Sequence, residues 1–127
     1  MKFLCLAYEE ESKLDALSRN EWDRLRRETL EYVEKLRESG RLVHAEPLQS
    51  ARSAVSVRIR GGDLSTTDGP FAETKEQLGG FFLIETENLD EALQVASAWP
   101  SARIGTIEVR PVESSLRPEG RYAALGN

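Results

Sequence analysis

Residues 80–86, GFFLIET, place Phe81 and Leu83 on one side of an extended chain and Phe82 and Ile84 on the other. The run is too short for a helix, so it reads as a strand. A strand that is wet on one side alternates apolar and polar residues, and this one does not. Residues 2–8, KFLCLAY, repeat the pattern, with Phe3, Cys5 and Ala7 on one side and Leu4, Leu6 and Tyr8 on the other. Two such strands belong in the middle of a sheet that is covered on both faces.

The rest of the chain supplies cover for one face. Ser18 and Glu21 have the spacing of a capping box. Trp22, Leu25, Thr29, Tyr32, Val33 and Leu36 follow at helical spacing, and Gly40 offers a left-handed stop. A second box, Asn88 with Glu91, opens a helix striped by Leu89, Ala92, Leu93 and Ala96, and Pro100 marks its end. Residues 41–48 read as a strand that Pro47 ends or places on an edge. Residues 54–60, AVSVRIR, alternate cleanly, and Gly61-Gly62 turns them back into a strand near 64–67. Residues 104–110 form the last strand.

The order is strand, helix, strand, inserted hairpin, strand, helix, strand. Two split βαβ units of this kind predict an α+β, ferredoxin-like sandwich with an inserted β-hairpin. Right-handed crossovers put both helices on the same side. The other apolar face needs a cover, and a second copy of the chain is the simplest one, because most soluble oligomers are symmetric homomers. The expectation is a homodimer packed sheet against sheet. The competing cover is the inserted hairpin, or the C-terminal arm at 113–127 beyond a domain at 1–112.

Composition narrows the partners. The chain has 127 residues and suits one domain. A formal net charge of -5 argues against nucleic acid. Its basic residues are 13 arginines and 4 lysines, so local anion sites remain open. Cys5 is the single cysteine, so no internal disulfide forms, which fits a reducing cytoplasm. No apolar stretch approaches a membrane span. No CxxC pair or phosphate loop is present, and no spacing supplies a third metal ligand, so neither cofactor nor metal is expected.

The candidate site centres on TDGPFAETKEQLGGFF, residues 67–82. Asp68 reads either as a general acid or base or as a turn former whose carboxylate bonds nearby amides. Gly69 and Pro70 make the corner rigid. Phe71 lines a pocket or, by preference, anchors the loop to the core. Glu73, Lys75 and Glu76 read as solvated surface. His44 and Glu46 share a strand face and suit ligand orientation, or form a polar edge pair. Tyr8 ends the first strand on the side assigned to an interface or cleft. Arg58 and Arg60 read as the wet side of the hairpin, and Cys5 as a buried small hydrophobe.

The same stretch, with LDEAL at 89–93, GTIEVRPV at 105–112, the opening MKFLCLAY and GRLVHAEPLQ at 40–49, resembles the DGPF-type branch of the YCII-related family. The resemblance covers residues 1–112. It implies a dimeric α+β barrel built from ferredoxin-like units. By fold its members look like small enzymes, but the resemblance names no function. The rigid Asp-Gly-Pro corner beside a partly polar strand face points to a small cytoplasmic enzyme that binds a small polar organic molecule with Asp68 as acid or base. Tyr8, His44, Glu46, Gly69, Pro70 and Phe71 would lie around the ligand. The alternative it implies is a non-catalytic ligand-sensing or protein-interaction module linked to sigma-factor regulation. The family's associated His–Asp pair has no match here. Thr29 stands near the helix position of that histidine, and Glu38 is at best the carboxylate.

Overall fold

The structure is a computed structural model and describes residues 1–113. The expected C-terminal arm lies outside the described residues apart from Glu113. Strands β1 (Lys2–Glu9), β2 (Leu42–Pro47), β5 (Gln77–Glu85) and β6 (Gly105–Pro111) form one antiparallel sheet in the order β2-β5-β1-β6. β3 (Val55–Arg60) and β4 (Asp63–Asp68) form a separate two-stranded hairpin. The helices are α1 (Glu11–Asp15), α2 (Arg19–Glu38) and α3 (Leu89–Ser97). This is the expected ferredoxin-like arrangement with its inserted hairpin.

Local chemistry explains most of the boundaries. The Ser18 hydroxyl accepts from the Glu21 amide at 3.1 Å, and the Glu21 carboxylate accepts from the Ser18 amide at 3.2 Å. Two of the free amides of α2 are thereby satisfied. Gly40 ends the helix at φ +78°, a conformation costly for any residue with a Cβ. At α3 only half of the expected box forms. The Asn88 side chain accepts from the Glu91 amide at 2.9 Å, but the Glu91 carboxylate accepts from Glu87 instead, at 3.0 Å.

The core lies between the sheet and its helices. Phe3, Cys5, Phe82 and Ile84 from the central strands meet Leu36 of α2 and Ala92 and Val95 of α3. Trp99, just past α3, stacks on Phe82 with ring centroids 3.9 Å apart. The Tyr32 hydroxyl donates to the Val95 carbonyl at 2.8 Å and ties the two helices together. Both helices cover the same face, as right-handed crossovers require. Leu4, Leu6, Phe81 and Leu83 point the other way and remain partly exposed. No helix among the described residues is long and apolar enough to cross a membrane.

Candidate functional site

The face without helices is a surface with a definite layout. Leu4 lies opposite Leu83, and Leu6 opposite Phe81, so the two central strands make an apolar floor. Tyr8 stands at the end of that row, opposite Leu78. On the β2 side, His44 is opposite Leu83 and Glu46 opposite Phe81. On the β6 side, Arg110 is opposite Leu4, Glu108 opposite Leu6 and Thr106 opposite Tyr8. A greasy centre with polar groups along both edges can hold a flat organic molecule by its faces and its oxygens.

The side chains at the β2 edge are already engaged with each other. His44 Nε2 lies 3.1 Å from Glu46 Oε2, so the pair is an ion pair when the imidazole is protonated. The His44 ring also lies against Phe81, centroids 6.0 Å apart. A carboxylate beside an imidazole fixes the ring's orientation. Both side chains remain more than half exposed, at 59% and 55%. Of the residues anticipated for the site, the fold thus brings His44 and Glu46 together and sets Tyr8 on the same face.

Asp68 is elsewhere, at the end of β4 in the hairpin, and is exposed. Its corner is held without it. The Gly69 amide donates to the Ala54 carbonyl at 2.6 Å, and the Ser56 hydroxyl donates to the Gly69 carbonyl at 2.9 Å. Gly69 has φ +97°, which explains the glycine. Among the described residues, the Asp68 carboxylate accepts no hydrogen bond. It therefore serves as a free carboxylate on a pinned corner and does not bond its own turn. Phe71 is 80% exposed, so the expected anchor to the core is absent.

Pro70, Glu73, Thr74, Lys75 and Gln77 line one wall of an open groove of about 520 Å³, whose other wall is α1 with Ala51 and Arg52. Its lining is mixed in charge. The Glu11 carboxylate accepts from the Ala51 amide at 2.7 Å and the Ser50 hydroxyl at 2.9 Å. Those bonds, the Ala51 amide foremost, hold its carboxyl below the usual carboxylate range.

Glu9 is the residue that sequence reasoning passed over. Its carboxyl occupies the space beside Gly79, where any Cβ would collide with Glu9 Oε1. Oε2 is shielded from solvent and has no hydrogen-bond partner. Burial, then the charges of Glu76 and Glu11, push this carboxyl above its ordinary range. The only signal was an acidic run at the end of a strand whose neighbour carries two glycines. Cys5 is buried, and desolvation pushes its thiol up to about 12. Thr29, near the place of the family's histidine, donates to the Leu25 carbonyl at 2.8 Å in its own helix. Among the described residues no group of three or more His, Cys, Asp or Glu side chains converges as a metal site.

Known proteins resemble this chain over nearly its whole length. The YCII-related domain family matches residues 1–115. An uncharacterised protein of Rhizobium meliloti (strain 1021) is 40% identical over 114 residues, which span 88% of this chain and 92% of that protein. A solved structure of the 5-chloro-2-hydroxyhydroquinone dehydrochlorinase from Burkholderia phenoliruptrix AC1100, in complex with 2,5-dihydroxybenzoquinone, superposes with a TM-score of 0.56. The match covers 91% of this chain and 96% of the other at 17% identity, and so speaks for the fold.

Proposed function

The chain belongs to the YCII-related domain family, and from that premise we propose that it is a small cytoplasmic enzyme of the DGPF-type branch, working as a homodimer on a small polar organic molecule. The observation that carries the reading is the sheet's face without helices. Its floor of Leu4, Leu6, Phe81 and Leu83 is apolar, and the His44–Glu46 pair stands at its edge. In a dimeric α+β barrel a second copy closes this face into a cleft. His44, Glu46 and Tyr8 then orient the ligand's polar atoms, and Asp68 takes or gives the proton. The residues of the rigid corner, Gly69, Pro70 and Phe71, frame it.

The solved relative of this fold holds a hydroxylated quinone, a flat ring rimmed by oxygens. That chemistry suits an apolar floor with polar edges, so hydroxylated quinones and phenols are the first ligands to test. Titration of 2,5-dihydroxybenzoquinone, followed by tryptophan fluorescence, should saturate. His44→Ala and Glu46→Gln should each weaken it by about tenfold or more, which corresponds to about 1.4 kcal/mol. Asp68→Asn should leave binding and fold intact and abolish turnover of any compound the enzyme converts. Binding that is indifferent to His44 and Glu46 would remove the open face as the site.

The second reading is a non-catalytic ligand-sensing or protein-interaction module linked to sigma-factor regulation. The exposed Asp68 and the exposed apolar side of the hairpin favour it. A single stable protein partner, captured equally by wild type and by His44→Ala, would support it.

A further inference from the structure

The hairpin has two unlike sides, and the apolar one faces solvent. Val55, Val57 and Ile59 alternate along β3 and are 60%, 62% and 64% exposed. Leu64, opposite Ile59, is 68% exposed. The far end of the same side is Asp68, opposite Val55. Ser56, Arg58 and Arg60 occupy the other side. An isolated two-stranded hairpin is marginal in water. One that turns four aliphatic side chains outward needs a cover even more.

Among the described residues nothing covers it within one copy, yet the chain has a matching surface. The open sheet face is apolar and partly exposed, and none of Leu4, Leu6, Phe81 or Leu83 belongs to the buried core. We infer that the hairpin is an intersubunit arm. Its apolar side lies on the uncovered sheet face of a second copy of this chain and carries Asp68 to that copy's His44–Glu46 pair. Each site is then composite, with a carboxylate from one subunit and an imidazole from the other. This inference rests on the homodimer proposed above.

Area and charge both favour a second copy as the occupant. Roughly 100 Å² of exposed surface for each of the four aliphatic residues gives the arm's apolar side on the order of 400 Å². A stable interface buries about 800 Å² per partner, and in a twofold dimer each subunit buries its arm and its open sheet face together. His44 turns Nε2 to Glu46, and among the described residues its Nδ1 has no partner, so a carboxylate at the end of the arm can take that second ring nitrogen. The same contact explains why Asp68 sits on a pinned corner without a partner of its own among the described residues.

Cross-linking between co-expressed Asp68→Cys and His44→Cys chains tests this. Both positions are exposed, so neither change disturbs the core, and native Cys5 is buried. A short bismaleimide should yield a covalent dimer from the mixture and none from either variant alone. Sedimentation of wild type should show a dimer, and Ile59→Asp should shift it towards monomer. A wild-type dimer with no cross-link in the mixture, or with a link in Asp68→Cys alone, overturns the arm and leaves the dimer standing. A wild-type monomer overturns both.

Discussion

The surroundings of Glu9 favour its protonated form more than water does. One oxygen is shielded and unpartnered, and Glu76 and Glu11 repel its negative form. Its folded pKa is raised above the ordinary value of 4.5, so the folded state binds its proton more tightly than the unfolded chain does. Its contribution to stability is fully present below the ordinary value and is lost as pH rises through the raised one. Glu11 runs the opposite way. Its folded pKa is lowered, so its contribution is present above the ordinary value and fades as pH falls. Glu9→Gln keeps the volume and removes the charge, so it should raise the melting temperature at neutral pH and leave it unchanged in acid. Thermal unfolding of both proteins across pH checks this, and an equal shift at every pH would contradict it. Cys5 makes a simpler prediction. A buried thiol pushed up to about 12 should resist iodoacetamide in the native protein and react fully once the chain is unfolded.

Elements with a local cause were readable, and those with a tertiary cause were not. The capping box at Ser18 and Glu21 announced α2 because both partners lie within four residues. The turn at Gly61-Gly62 announced the hairpin because both glycines take positive φ, +58° and +85°. α1 escaped notice because five residues cannot display an apolar stripe, and its start is held from afar. The Glu11 amide donates to the Gln77 side chain at 3.0 Å. β5 begins three residues before the expected 80, at Gln77, because Gly79 is an extra residue between the pairs Ala7–Gly80 and Tyr8–Leu78. Such a bulge breaks the alternation by which a strand is recognised. Gly105 shows a related constraint on β6, where a Cβ would strike the Tyr8 carbonyl oxygen of the neighbouring strand. Backbone cannot yield as a side chain can. Gly105→Ala should therefore cost about 1–3 kcal/mol in urea unfolding, a loss typical of steric strain in a packed region. Gly79→Ala should cost less, because only the flexible end of Glu9 need move.

The two faces of the sheet make the whole molecule legible, and they also mark where legibility stopped. Apolar residues on both sides of β1 and β5 predicted a sheet with a second covered face, and the structure leaves that face without helices. His44 and Glu46 were readable as neighbours because a strand's period of two puts them on one side. The distance of Asp68 from them was not readable, since nothing in a hairpin's own alternation says which sheet it will lie on. The faces also predict two unlike classes of substitution. Phe82 is fully buried beneath the helices and stacks on Trp99, so Phe82→Ala should cost about 3–5 kcal/mol of stability. Leu83, one residue on, points to the open face and is partly exposed in one chain. Leu83→Arg should cost a single chain little, but in the dimer it drives a charge under the apolar side of the second copy's arm, which is unfavourable. It should convert dimer to monomer in sedimentation while leaving the far-ultraviolet circular dichroism unchanged. If Leu83→Arg remains dimeric at micromolar concentration, the open face is not the contact between subunits.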